Sequence, residues 1–156
     1  MSVSMKMDGF RELEKALAQL PAGTAKGVAR RAMKKELAPV AAMANAFWPG
    51  SADDVFRITS RVSRSQPQPK KGRSILNMFV GAPGGRTGTP EAHLIEFGTG
   101  PRFHKSGKYV GAVAPTPMLQ PAWDANKHAI LEGLGARLWD EIVKTQARRA
   151  KRAQGK

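Results

Sequence analysis

Glu91, His93, Glu96 and His104 stand close together along the chain, and Gly98-Thr99-Gly100-Pro101-Arg102 runs between the last two. Acids with imidazoles are metal-site chemistry, and a glycine pair followed by an arginine is phosphate-cradle chemistry. The apolar run from His93 to Phe97 predicts a third strand, and on a strand His93 and Glu96 point to opposite faces, so the four do not converge on an ion. A phosphate loop needs GxxxxGK[ST], and a dinucleotide fold needs GxGxxG leading straight into a helix whose first amides hold the anion. Here Gly-Thr-Gly leads into Pro101-Arg102-Phe103, with no helical pattern before Pro117. The remaining reading is a turn in which glycine supplies a positive φ. No serine or threonine sits in a nucleophile elbow, and the chain has no cysteine, which removes disulfides, thiolate ligands and thiol nucleophiles. The sequence therefore predicts no catalytic residue, no metal and no cofactor.

Its charge is more informative. The 156 residues, a length that fits one domain, carry 26 Lys and Arg against 12 Asp and Glu, a net charge of +14. Arg57, Arg61, Arg64, Lys70, Lys71 and Arg73 form one zone without an acid, and Lys144 to Lys156 forms a second that includes Arg148, Arg149, Lys151 and Arg152. Such zones are either solvated faces or surfaces for DNA phosphates or an acidic partner. No recognition helix, RNP aromatic set or zinc finger is present, so any DNA contact is expected to be independent of base sequence. Asp8 interrupts the N-terminal segment where a secretory signal needs an apolar core, and no run approaches the roughly 18 apolar residues of a membrane span. The expectation is a soluble protein made in the cytoplasm, with no membrane contact.

Phe10, Leu13, Leu17 and Leu20 recur at helical spacing, and Pro21 to Gly23 break that helix. A second helix, capped by Thr24, is predicted to run to Trp48 with a kink near residues 35–38 from Pro39. Phe56 to Ser63 alternates as a half-buried strand, Ser63 to Arg73 is a mobile basic loop, and Ser74 to Ala82 is an apolar strand pairing with the first. Residues 98–117 read as a long loop around one weak strand candidate, Tyr109 to Val113. From Pro117 a helix continues into the basic end, with Gly133 and Gly135 predicting close approach to another backbone, and Trp123 and Trp139 reading as core or subunit-interface residues. The fold class is α+β: N-terminal helices and a long C-terminal helix packed on a small antiparallel sheet, in one domain over 1–143 with a basic tail over 144–156.

In this order the features resemble the neck or tail-completion family of long-tailed bacteriophages, the lambda Z-like minor tail proteins. Two stretches carry the resemblance: "AHLIEFGT", with His93, Glu96, Phe97, Gly98 and Thr99, and "PTPMLQPAWDA", with Pro115, Pro117, Met118, Leu119, Pro121 and Ala122. The histidine lies three rather than four residues before the glutamate, and Met118 stands where phenylalanine is more usual. The likeness spans most of residues 8–143. It implies a non-enzymatic virion protein, assembled as a hexameric or dodecameric homo-oligomeric ring at the head-proximal end of the tail, beside other neck and tail proteins and the path of viral DNA. On that implication Glu96, Phe97, Gly98, Thr99, Pro101, Arg102, Pro117, Met118, Leu119 and Pro121 form the subunit interface, and the two basic zones face DNA or an acidic ring. A valine at Gly98 is then expected to block assembly while leaving the monomer folded. A free DNA-binding protein, a tail terminator and a head-closure ring are the alternatives.

Overall fold

The computed structural model describes residues 10–61, 76–84 and 88–155. The described residues form an α+β fold with four helices and two small antiparallel ribbons. The elements are α1 (Phe10–Ala18), α2 (Ala22–Ala46), β1 (Arg57–Thr59), β2 (Phe79–Gly81), α3 (Ala92–Phe97), β3 (Thr99–Phe103), β4 (Tyr109–Val113) and α4 (Leu119–Gln154).

The body is an antiparallel pair of long helices. Val28 and Ala32 near the start of α2 meet Leu138 and Ile142 far along α4, and Leu13 and Leu20 of the N-terminal segment complete that cluster. At the other end Val40 and Ala44 of α2 pack with Met118 and Ala122 at the start of α4. Val55, Phe56 and Ala92 close this second cluster, and Trp48 meets Phe56 edge to face at 6.1 Å. In the seam between the helices Ala32 and Ala44 of α2 are fully buried and let α4 approach, beside the larger Val28 and Val40.

Pro21, whose fixed φ suits a helix entry, separates α1 from α2. Its carbonyl accepts the amides of Thr24 and Ala25, so α2 begins at Ala22 and Thr24 does not cap it. The helix continues through Pro39 to Ala46. In its last turn, Asn45 exchanges two hydrogen bonds with the backbone of Phe56, at 2.9 and 2.8 Å, as a neighbouring strand would. This side-chain clamp fixes the entry to β1, which pairs with β2 in the register Arg57↔Gly81, Ile58↔Val80 and Thr59↔Phe79.

Three expectations change. Residues 92–97 are helix α3 rather than a strand: Ala92 and Glu96, four apart, turn inward together, and the Glu91 carbonyl accepts the amides of Leu94 and Ile95. A run this short has no period long enough to separate the two states, and its i, i+4 inward pair wins. Within 98–117 the strand candidate Tyr109 to Val113 is β4, but it pairs with β3 in a hairpin instead of standing alone in a loop, so strands form two separate ribbons instead of one sheet. At Gly133 the close neighbour is the Glu36 carboxylate, 2.8 Å from where a Cβ would sit, and not a backbone. The 63–73 loop lies outside the described residues, and α4 runs continuously across residues 143 and 144.

Gly98 joins α3 to β3 with φ +70, and a Cβ there would lie 2.8 Å from both the Pro115 nitrogen and the Val113 oxygen. Backbone walls on two sides leave no rotamer to escape into, so a substitution here disturbs the fold itself, against the expectation of an intact Gly98→Val monomer. Gly98→Ala should cost about 2 kcal/mol or more, read as a lowered urea midpoint; an unchanged midpoint would show that this turn is soft.

Candidate functional site

The two motif stretches meet at one side chain. Glu96, 5% exposed, accepts the amides of Met118 at 2.8 Å, Leu119 at 3.1 Å and Gln120 at 3.4 Å. Those are amides at the entry and first turn of α4, which have no partner within the helix and no cap from a neighbouring side chain. A carboxylate delivered from 22 residues upstream therefore does the work of an N-cap and sits at the positive end of the helix dipole. Two further bonds fasten the same junction: the Thr116 amide donates to the Ile95 carbonyl at 2.8 Å, and the Val113 amide donates to Thr99 Oγ1 at 3.1 Å. The chemistry of "IEFGT" and "PTPML" is thus mutual: one caps, the other is capped.

This arrangement divides the predicted interface residues. Glu96 and Met118 are buried inside the chain, Met118 completely, so neither offers a surface to another subunit. Gly98, Thr99 and Leu119 are half-buried in the junction. Phe97, Pro101, Arg102, Pro117 and Pro121 are exposed, and Phe97 is 79% exposed despite being wholly apolar. Around them lies more uncovered apolar surface. Phe103 and Tyr109 on the hairpin touch each other at 5.4 Å yet remain exposed, as do Val110 and Trp123. Beside the junction two adjoining hollows of about 470 and 570 Å³ share Phe79, Val80, Phe97 and Leu119 as walls, and Trp123 borders the larger. Trp123 and Trp139 are both surface residues, which removes the core reading for them.

The basic residues divide as well. Arg57 pairs with Asp54 at 3.1 Å, Arg61 is exposed, and Arg64, Lys70, Lys71 and Arg73 lie outside the described residues. Arg148, Arg149, Lys151 and Arg152 are exposed on the last turns of α4. The Arg57 zone sits by Asn45 and the Arg148 zone by Gly23 and Thr24, opposite ends of α2 and so about 30 Å apart at 1.5 Å per residue. Arg57 and the Arg148 cluster therefore do not form one patch.

A buried charge went unseen in the sequence. Glu141, 2% exposed, accepts Arg31 Nε at 2.7 Å and Lys35 Nζ at 2.6 Å, while Arg31 Nη2 also reaches Thr145 Oγ1 at 2.9 Å. The hydrogen bond from Arg31, then that from Lys35, hold the Glu141 carboxyl down at about 2. Arg137 reaches Glu36 across the same seam at 2.8 Å. The available signal was spacing: Arg31 and Lys35 on α2, Glu141 and Thr145 on α4, both four apart and so on one face each.

Among the described residues no three His, Asp or Glu side chains come together as a metal site, and His93, His104 and His128 are exposed. Nor is any described helix long and apolar enough to cross a membrane. Comparisons with family models, with curated proteins and with solved structures return no match.

Two tests follow from this geometry. Glu96→Ala strands several amides at once and should cost about 3 kcal/mol, with faster hydrogen exchange at Met118, Leu119 and Gln120, whereas Glu96→Gln keeps one acceptor and should lose less. Unchanged exchange at those three amides would exclude the capping role. For Glu141 the folded pKa lies below the unfolded one, so its contribution is complete above about pH 4.5 and is lost as the pH falls towards about 2. The urea midpoint should decline across that window, and Glu141→Gln should remove the Glu141 part of the slope.

Proposed function

We propose that the chain is a structural subunit of a phage neck, a homo-oligomeric ring that completes the head-proximal end of the tail, without enzymatic activity. The observation that carries this is the apolar surface gathered around the motif junction. Residues 100–110 are exposed throughout, with Phe103 and Tyr109 at 63% and 56%, and Phe97 and Trp123 face outward beside hollows that no described residue fills. An aromatic hairpin and an apolar hollow on different parts of one chain form the two halves of a head-to-tail contact, which closes into a ring when repeated by rotation. A monomer gains nothing from leaving them uncovered. The junction also explains why the two stretches that resemble the tail-completion family occur together, because Glu96 of one holds the helix start of the other. Viral DNA would pass the basic zones by contacts to phosphate.

A second reading, a free sequence-independent DNA binder, is favoured by the Arg148 to Arg152 cluster alone, and predicts duplex binding that falls steeply between about 50 and 200 mM salt.

The neck reading is tested in lysates of a phage carrying an interrupted copy of this gene. Filled heads and separate tails should accumulate, and added wild-type protein should join them. Protein carrying Phe103→Ser with Tyr109→Ser should stay monomeric by light scattering and fail to join them, with stability within about 0.5 kcal/mol of wild type because both positions are exposed. Intact particles without the gene product would end the proposal.

A further inference from the structure

The far end of the α2–α4 pair holds a polar groove of about 420 Å³ that the motif junction does not touch. One wall is the first turns of α2, with Gly23, Thr24 and Gly27; the other is the end of α4, with Arg148, Arg149 and Arg152, and Arg31 lies between them. The charge there is unbalanced. Glu141 is already matched by Arg31 and Lys35, and Arg148 reaches it only at 3.8 Å. Arg149 and Arg152 have no ion-pair partner among the described residues. Thr24 and Thr145 add hydroxyl groups to the lining.

We infer that this groove is a binding site for the phosphodiester backbone of nucleic acid. Guanidinium groups present paired donors that match phosphate oxygens, and Arg149 and Arg152, two of them without an ion-pair partner among the described residues, favour an anion over a neutral ligand. Two of the lining positions also carry no side chain. A Cβ on Gly23 would meet nothing within 4 Å, and one on Gly27 would meet only Arg31 Nη1 at 3.5 Å. These glycines are required by no positive φ, since neither is among the positive-φ glycines. Within a helix, where glycine costs about 1 kcal/mol relative to alanine, they leave room beside the arginines. The uncapped first turn of α2 adds its dipole to the positive potential. The inference deepens the reading in which DNA passes the protein, but needs no ring to be tested.

The test is binding of the full chain to a fluorescent duplex, followed from about 50 to 200 mM salt, beside a titration with inorganic phosphate. Arg149→Gln with Arg152→Gln should weaken duplex binding and lower the salt slope by about 2, near 1 for each lost phosphate contact. Gly23→Leu keeps every charge and fills the groove, so it should weaken binding as well, while Lys105→Gln with Lys108→Gln on the distant hairpin should change it less than about twofold. Unchanged thermal unfolding of each variant separates lost binding from lost fold. Gly23→Leu binding like wild type would overturn the site, because attraction would then depend on net charge alone. Saturation by inorganic phosphate with no duplex binding would also overturn the nucleic-acid assignment, leaving a site for free phosphate. Failure of head–tail joining in lysates would leave a positive duplex result standing, so the two proposals fail separately.

Discussion

A single buried carboxylate organises the junction on which the surface features depend. Glu96 caps the start of α4, and it arrives from a short helix whose own placement depends on Ala92 packing into the core. Removing water from a carboxylate is costly, and the cost is offset here by amides that would otherwise be unsatisfied at a buried helix end. Two liabilities cancel each other. The consequence reaches outward, because fixing Glu96 places Phe97 about 100° further round the helix, facing solvent, and sets the point from which the hairpin leaves at Gly98. Exposure of Phe97 is thus a by-product of burying its neighbour.

The seam between α2 and α4 uses the same logic with full charges. Glu141 is buried against Arg31 and Lys35, each still about half exposed at its side chain. The cations retain part of their hydration while the acid loses nearly all of its own, so the pair avoids much of the cost of burying both ions. Such a pair adds less to stability than apolar residues of equal volume could, but it resists sliding: moving α4 by one turn would separate Glu141 from both partners and bury it unpaired. Register along this seam fixes where the arginines at the end of α4 meet the first turn of α2.

The helices were legible in the sequence because their apolar residues repeat over several turns. Leu13, Leu17 and Leu20, and later Leu134, Leu138 and Ile142, need no tertiary information to be placed on one face. Half of the hairpin was legible, as the Tyr109 to Val113 candidate is β4, but its partner was not, since β3 reads Thr-Gly-Pro-Arg-Phe and is exposed along most of its length, which leaves no alternation to detect. His93 to Phe97 resembles a strand for the complementary reason: a short apolar run looks alike in both periods, and only the packing of Ala92 with the capping duty of Glu96 makes it helix α3. The motif stretches could be recognised as a pair, yet the assignment of all their residues to one surface could not distinguish residues that hold the junction from those it displays. Burial makes that distinction, and Glu96 and Met118 fall on the holding side.

The division of basic residues between the two ends of α2 bears on how a polyanion could be met. A net charge of +14 suggests one broad attractive surface, but the described charges are used unevenly. Arg31, Lys35 and Arg137 serve the seam, Arg57 answers Asp54, and Lys144 answers Asp140 four residues earlier. What remains uncommitted at the far end is a compact set on α4, placed beside a helix start and separated by the length of the body from the apolar hairpin and hollow. Self-association through the hairpin would therefore leave the arginine groove uncovered. In a head-to-tail ring each subunit would repeat that groove at the same height, so a chain with no base-reading element could still offer a periodic line of guanidinium groups to a duplex passing alongside.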